Sequence, residues 1–395
     1  MTQQTSPIVT NMSRGSYREV VSYFLRLGLL AFGGAAGHIA MMRRELVGRR
    51  RWISEQDFLD LFGIMNLIPG PSSTETVIAL GYFRAGGPAL VLAGAVFILP
   101  AMAMILGLSW AYVRYGSLPA AQWILYGINP IVIAIIADAL WNLGRAAVKN
   151  IWLALLGIAA IALYFEGVEI VAILFGAILL TGIAARWKVG GKRHAAAAIF
   201  PLALAKWAGG AAAAGAAVIP FTMARLFFTF FKIGAVCYGS GYVLLAFLHA
   251  DFVAHLHWLT DKQLLDAIAV GQMTPGPVFA SATFIGYLTG GWHGALWATL
   301  GIFLPSFVYV AIVLRLVPKL KGSAYARIFL DGINATTVGL MGAVSWQLAR
   351  GAILDVFTAL EAVAAFLILL RFKINSAWLI LAGIAAGVAF KAATR

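Results

Sequence analysis

Two Pro-Gly-Pro triplets interrupt long apolar segments of this sequence, at residues 69–71 and 275–277. Proline lacks the backbone N–H that continues a helix, and glycine lets the chain turn. A helix that begins directly after such an interruption presents unpaired N–H groups and its positive dipole end, which attract an anion. The following residues are therefore predicted to line an anion site: Pro69, Gly70, Pro71, Pro275, Gly276 and Pro277.

Amide and hydroxyl side chains surround both triplets. An amide stands three residues before the first proline in each case, as Asn66 and as Gln272. Hydroxyl residues follow each triplet, where they are suited to cap the new helix and to contact a ligand. They are Ser72, Ser73 and Thr74 after the first triplet, and Ser281 and Thr283 after the second. Both interruptions are thus predicted to bind a ligand rather than to be simple kinks.

Three basic residues lie within apolar segments: Arg26, Lys206 and Lys232. Cations at such positions are costly and usually functional. Arg26 and Lys232 are equivalent in an internal repeat, a turn or two before glycine motifs at 32–34 and 238–240. Two inward-facing cations would suit a small dianion. Snorkelling to the membrane interface is the alternative for both, and it is favoured for Lys206, which has no repeat partner.

Acidic residues in apolar segments are candidates for carrying a coupling proton. Glu75 follows the first triplet by one turn, and a structural salt bridge is its alternative role. Asp60 and Asp266 are repeat equivalents, which are expected to pair with the two cations, to cap helices or to lie at the interface. His38 could titrate near neutral pH or simply form hydrogen bonds. Asp138 has no assigned role.

The sequence contains no enzyme motif. It lacks a Gly-rich nucleotide loop, an HExxH pair and a Ser or Cys nucleophile signature. The single cysteine, Cys237, excludes an internal disulfide and a cysteine-based metal cluster. We therefore predict a protein that is not an enzyme and has neither cofactor nor metal site, driven by an ion gradient or by another subunit.

The composition identifies the environment that positions these residues. Of 395 residues, 62% are hydrophobic and 11% are charged, whereas soluble domains carry about 25% charged residues. Long apolar runs recur, as at 89–108 and 151–165, so we predict an all-α polytopic membrane protein with the lipid bilayer as its partner. The net charge of +14 is attributed to cytoplasmic loops rather than to nucleic-acid binding.

The chain is predicted to consist of two homologous halves. Residues 24–34 align with 230–240 at an offset of 206, which also aligns the two triplets; one deletion then changes the offset to 205. The predicted domains are an N-terminal repeat at 14–187, a connector at 188–222 that is predicted to contain a membrane span, and a C-terminal repeat at 223–395. Where a loop of one half is rich in Lys and Arg, the corresponding loop of the other half is poor in them. The second half is therefore predicted to be inverted relative to the first.

The segments around the triplets are too short to cross a membrane. From Glu55 to Pro69 a helix would span roughly 21 Å of a ~30 Å core. We therefore predict re-entrant hairpins at 55–84 and, through the FGG motif, at 20–48. This arrangement places the N-terminus inside and the C-terminus outside. The alternative is that 20–42 spans the membrane.

The motifs resemble the chromate ion transporter (CHR) family in its long, two-domain form. The likeness runs through FLRLGLLAFGG, NLIPGPSSTE, FFKIGAVCYGSGY and GQMTPGPVF, and so through both halves. Two departures, Ala35 after FGG and Ser72 after PGP, put the substrate preference in doubt. The family pattern points to these site residues: Arg26, Gly33, Gly34, Glu45, Asn66, Pro69, Gly70, Pro71, Ser73, Gly239, Gly241, Pro275, Gly276 and Pro277.

The resemblance implies export of chromate across the bacterial inner membrane, driven by the proton gradient or the membrane potential and conferring chromate resistance. The residues alone indicate only a small anion. A carrier of sulfate or another small oxyanion is the first alternative, and a non-transporting membrane scaffold or intramembrane enzyme is the second. The oligomeric state stays open, with a homodimer among the alternatives.

Overall fold

The structure is a computed structural model that describes residues 12, 14–32, 34–188, 220–238, 241–316, 324–372 and 374–394. Four predicted features lie wholly or mostly outside these residues: Gly33, Gly239, Lys206 and most of the connector 188–222. Within the described ranges the chain forms helices joined by turns, and no strand occurs there. The all-α class is therefore confirmed.

The first half begins with short helices and continues with long ones. Ser16, Ser54 and Asn150 cap three of these helices through their side chains. The helices are α1 (Tyr17–Leu30), α2 (Gly34–Met42, continued as a π-helix over Arg43–Arg49), α3 (Glu55–Met65), α4 (Ser72–Ala85), α5 (Gly87–Tyr115), α6 (Pro119–Ala147), α7 (Ile151–Phe165) and α8 (Ile170–Lys188).

The second half repeats this order. Its helices are α9 (Met223–Val236), α10 (Leu244–Leu248, continued as a π-helix over His249–His255), α11 (Asp261–Met273), a 3₁₀ turn (Val278–Ala280), α12 (Ser281–Leu316), α13 (Ala324–Ala352), α14 (Val356–Phe372) and α15 (Ser376–Ala393). Helix α12 corresponds to α4 and α5 together, because its backbone leaves the helical region at Gly290 and Gly291.

Backbone details recur at the predicted offsets. Left-handed φ angles occur at Gly70 and Gly276, which are 206 residues apart, with values of 124° and 100°. The non-glycine residues Arg51 and His257 share the same conformation at the same offset, with φ of 51° and 54°. Because such angles are uncommon outside glycine, their recurrence supports a common origin of the two halves.

Among the residues that the structure describes, five helices are long and apolar enough to cross a membrane. They are Gly87–Tyr115, Pro119–Ala147, Val278–Arg315, Ile328–Ala352 and Ser376–Ala393. By contrast, α3 has 11 residues and α4 has 14, or about 17 and 21 Å of helix against a ~30 Å core. The chain is therefore a multi-pass membrane protein, while the re-entrant course of α3 and α4 and the inverted orientation of the halves stay predictions.

The two halves interleave. Helix α5 packs on α12, and α6 packs on α13. Helix α6 also contacts α14 and α15 of the second half, and α13 contacts α7 and α8 of the first in the same way. Each half therefore completes the packing of the other, which brings backbone segments between the short helices of the two halves into hydrogen-bonding contact.

A close glycine contact holds α6 against α15, and filling it is expected to destabilise the protein. A β-carbon on Gly127 would lie 2.9 Å from the carbonyl carbon of Gly383 and 3.0 Å from the Cα of Gly387. Because overpacking typically costs about 1–3 kcal/mol, Gly127→Leu should lower the thermal unfolding midpoint in detergent. Gly107→Leu is the matched control, since a β-carbon there has no atom within 4 Å. Equal midpoints for the two variants would contradict this prediction.

Candidate functional site

Four helix interruptions meet between the two halves. The first and second proline breaks are residues 66–71 and 274–277. The first and second glycine breaks are residues 31–33, between α1 and α2, and 237–243, between α9 and α10; both are only partly described. Each break separates two consecutive helical elements of the same half. The candidate site is defined by these breaks.

Each proline break donates a hydrogen bond to the glycine break of the other half. The Gly70 N–H donates to the Cys237 carbonyl at 2.8 Å, and the Gly276 N–H donates to the Ala31 carbonyl at 3.0 Å. Gly70 and Gly276 are repeat equivalents, and so are Ala31 and Cys237. The two bonds therefore form one symmetric pair, which ties the breaks together at the interface between the halves.

Further contacts close the same region. The Tyr238 hydroxyl donates to the carbonyl of Asn66 at 2.7 Å, across the two halves. Val278 lies beside two of the predicted glycines, since β-carbons on Gly34 and Gly241 would come within 3.7 and 3.4 Å of its side chain. Glycine at these positions thus permits the start of one helix to approach the opposite break.

The helix that follows the first proline break begins without a side-chain cap at Ser72. Glu75, one turn later, is 0% exposed. The Thr74 hydroxyl and both Glu75 carboxyl oxygens are buried, and none has a hydrogen-bond partner among the described residues. The Ser306 hydroxyl lies near enough to Glu75 to interact with it electrostatically, although the pair does not meet hydrogen-bond geometry. The first break therefore holds a cluster of unsatisfied polar atoms.

Ser73 contacts the buried ring of His38. The Ser73 Oγ lies 3.2 Å from Nδ1, while Nε2 lies 3.3 Å from the Ala31 carbonyl oxygen. Because a carbonyl oxygen only accepts, Nε2 carries the proton of the neutral ring and Nδ1 accepts from the Ser73 hydroxyl. The Ala31 carbonyl that receives Gly276 thus also holds His38 in place.

The second proline break is less polar. Gln272 is buried, and its amide nitrogen has no partner within the part of the chain that the structure describes. It lines a small pocket together with Gly241, Tyr242, Val278 and Ser281. The repeat equivalents of His38 and Ser73 are Leu244 and Phe279. The two breaks therefore share a backbone geometry but differ in chemistry.

The predicted cations lie away from these polar atoms. Lys232 donates to the Asp251 carboxylate at 2.5 Å and lies 3.9 Å from Glu169. Arg26 is exposed on the surface of α1. Its positive charge contributes to the electrostatic environment of the Glu45 carboxylate. Since Asp251 is the repeat equivalent of Glu45, both cations face an acidic side chain of the helix that follows.

The remaining predicted acids have different surroundings. Asp266 is 0% exposed and accepts a hydrogen bond of 2.8 Å from the Tyr112 hydroxyl of the other half. Asp60 is partly exposed and accepts from Gln56 at 3.0 Å. On the basic π-helix Arg43–Arg49, outside the five candidate spans, the hydrogen bond from Arg50 holds the pKa of Glu45 below its usual value. Among the described residues no group of acidic, His or Cys side chains could hold a metal ion.

Several site residues were not singled out from the sequence: Tyr112, Tyr238, Asp251 and Ser306. Two of them carried a usable signal. Tyr238 belongs to the YGS motif itself, and Ser306 follows the Leu304-Pro305 pair that aligns with Leu99-Pro100. Asp251 is found only by applying the repeat to Glu45. Tyr112 offered no signal, because its partner lies 154 residues away.

The comparisons with known proteins agree with the two-half organisation. The family model described as Chromate transporter matches residues 18–183 and 224–388. The chain is 36% identical to a chromate transport protein of Cupriavidus metallidurans, over 93% of this chain and 91% of the relative. It is 32% identical to a chromate transport protein of Pseudomonas aeruginosa, over 85% and 82%. A probable chromate transport protein of Synechococcus elongatus is 31% identical, over 87% and 88%. No solved structure matches this chain.

Proposed function

Because this chain belongs to the chromate transporter family, whose members are membrane transporters rather than enzymes, we propose that it exports chromate across the bacterial inner membrane. The export is driven by the proton gradient or the membrane potential, and it confers chromate resistance. The observation that carries the location of the site is the meeting of the four breaks beside buried, unpartnered polar atoms. Irregular backbone at membrane depth is tolerated only where protein buries it or where it lines a cavity.

Chromate is a tetrahedral dianion whose oxygens only accept hydrogen bonds, so its site must supply donors. The uncapped start of α4 supplies backbone N–H groups. The hydroxyls of Thr74 and Ser306, which have no hydrogen-bond partner among the described residues, supply O–H donors. The amide of Gln272 supplies N–H donors from the second break. In this proposal the two halves share one site.

Glu75 is the proposed coupling residue. An ionised carboxylate one turn after the first proline break repels a dianion, whereas a protonated carboxyl does not. The proton then moves with chromate, and the membrane potential drives export by acting on the one negative charge that remains. The full burial of Glu75 and the lack of a cationic partner among the described residues support a group that changes its protonation state during transport. Asp60 and Asp266 are assigned a supporting role, because each already accepts a hydrogen bond.

Arg26 and Lys232 are proposed to draw the dianion toward the protein rather than to bind it directly. The Asp251 carboxylate cancels most of the attraction that Lys232 exerts at a distance, so this role is assigned mainly to Arg26, which is exposed on α1. A positive charge on the protein attracts an anion over a distance, so it raises the local concentration of the anion without contacting it. Arg26→Ala should therefore slow transport at low ionic strength more than at high ionic strength, and Lys232→Ala should show a smaller effect of the same kind.

Uptake of labelled chromate into everted inner-membrane vesicles tests this function. The proposal expects uptake that depends on the imposed gradient, and expression of the protein should raise the chromate tolerance of a sensitive strain. Sulfate presents the same tetrahedral acceptors to the same donors, so excess sulfate is included in a parallel arm. Strong competition and net sulfate movement favour the wider oxyanion carrier. Uptake no greater than that of vesicles without the protein would overturn the chromate exporter.

A further inference from the structure

His38 joins the first proline break to the hydrogen bond that connects the two halves. Its ring is 0% exposed and packs edge-to-face on Phe97 with centroids 5.2 Å apart. One nitrogen contacts Ser73 and the other contacts the Ala31 carbonyl. That carbonyl also accepts the N–H of Gly276. The ring thus contacts both the oxyanion-binding side of the break and its backbone frame.

The protonation state of the ring decides what the Ser73 hydroxyl can do. In the neutral ring Nδ1 is an acceptor, and it uses the one proton of that hydroxyl. In the cationic ring Nδ1 is a donor, and the Ser73 oxygen becomes its acceptor. The Ser73 O–H then has to point elsewhere, and it is free to donate to an oxyanion at the start of α4. Protonation also adds a positive charge beside the break.

We propose that His38 is a positioning residue of the transport cycle, whose protonation releases the Ser73 hydroxyl to bind the oxyanion. This inference rests on the proposed function for the place where the oxyanion binds. It makes proton binding and oxyanion binding mutually favourable, because such coupling is reciprocal. The proton on His38 then crosses with chromate and leaves one net negative charge, which an interior-negative membrane potential drives outward. It is therefore an alternative to the proton proposed for Glu75, not an addition to it.

The groups packed around the His38 ring offer Nδ1 few hydrogen-bond partners other than Ser73. Helix α4 presents Ser73 and, two residues later, Glu75, whose carboxylate faces Gly70. Helix α5 presents the apolar Phe97, and the end of α1 presents only a carbonyl. Over the described ranges no salt bridge involves His38. In the second half, Leu244 and Phe279 take the equivalent positions, so the switch belongs to the first half alone.

Calorimetric titration of the purified full-length protein with chromate tests the inference. Measurements in buffers of different ionisation enthalpy give the protons taken up per chromate bound. His38→Leu places in the first half the residue that fills the equivalent position of the second. We expect this variant to take up fewer protons per chromate, by as much as one, and to lose about a tenfold rise in affinity between pH 8 and pH 6. His38→Gln serves if the leucine variant does not fold, which size-exclusion chromatography reveals.

His293→Gln is the control, because His293 is exposed and lies on α12 beyond the kink at Gly290 and Gly291. Chromate itself gains a proton in this pH range, and that contribution is common to all variants and cancels in the comparison. Wild-type proton uptake in both His38 variants would overturn the inference while leaving the transporter intact. Wild-type protein that binds neither chromate nor sulfate would overturn the proposed function as well.

Discussion

Glu75→Gln is expected to separate chromate movement from the proton gradient. The substitution keeps the size of the side chain and makes it permanently neutral, as the protonated carboxyl is in the proposed binding state. Chromate should therefore still enter the site, and exchange of labelled for unlabelled chromate across proteoliposomes should continue within about twofold. Accumulation driven by a pH gradient should fall at least about tenfold, equivalent to about 1.4 kcal/mol of lost coupling.

Glu361→Gln provides the matched control for this change. Glu361 lies on α14, its carboxyl oxygens are also buried without a partner among the described residues, and it is not part of the four breaks. It therefore tests whether loss of any buried carboxyl uncouples transport. The coupling role of Glu75 is wrong if its glutamine variant accumulates chromate like the wild type, or if both variants lose accumulation equally.

The sequence was sufficient to predict a helical membrane protein built from two homologous halves. Apolar runs and low charge predict membrane helices from length alone, and the structure places a helix over 87–115 where the run at 89–108 indicated one. The repeat predicted which elements correspond, and Pro-Gly-Pro predicted where helices stop. These features are local, or they recur at a fixed offset, so a single sequence contains them.

The assembly of the site could not be predicted in the same way. Gly70 bonds to Cys237 and Gly276 to Ala31, and nothing in the sequence pairs a proline break with the glycine break of the opposite half. The expectation for Lys232 was a bond to a substrate or to Asp266, whereas the structure pairs it with Asp251. Ion-pair partners depend on the direction of each side chain in three dimensions, which periodicity does not specify.

Gly276→Ala is expected to abolish most transport by displacing the second proline break. Gly276 has a φ of +100°, where a side chain is strained by about 1–3 kcal/mol. Its new β-carbon would also lie 2.7 Å from the Cβ of Ala101. Both effects push the break away from α5 and weaken the Gly276–Ala31 hydrogen bond, on which the shared site depends. We expect chromate uptake to fall at least about tenfold while the protein is still inserted in the membrane.

Two further variants separate the site from general backbone strain. Gly167 has a φ of +80° and nothing within 4 Å of its potential β-carbon, so Gly167→Ala introduces similar strain in the loop between α7 and α8 and should keep transport within about twofold of wild type. Ala101→Gly removes the atom that Gly276→Ala meets, at a cost of about 1 kcal/mol for glycine within a helix. Combining Ala101→Gly with Gly276→Ala should therefore restore part of the uptake.

If the double variant is no better than Gly276→Ala, the contact with Ala101 does not position the break, and backbone strain alone explains the loss. If Gly167→Ala is equally inactive, the two breaks have no special place in transport. Recovery in the double variant alone would instead tie chromate movement to the hydrogen bond between the two halves, because that bond is what the removed contact displaces.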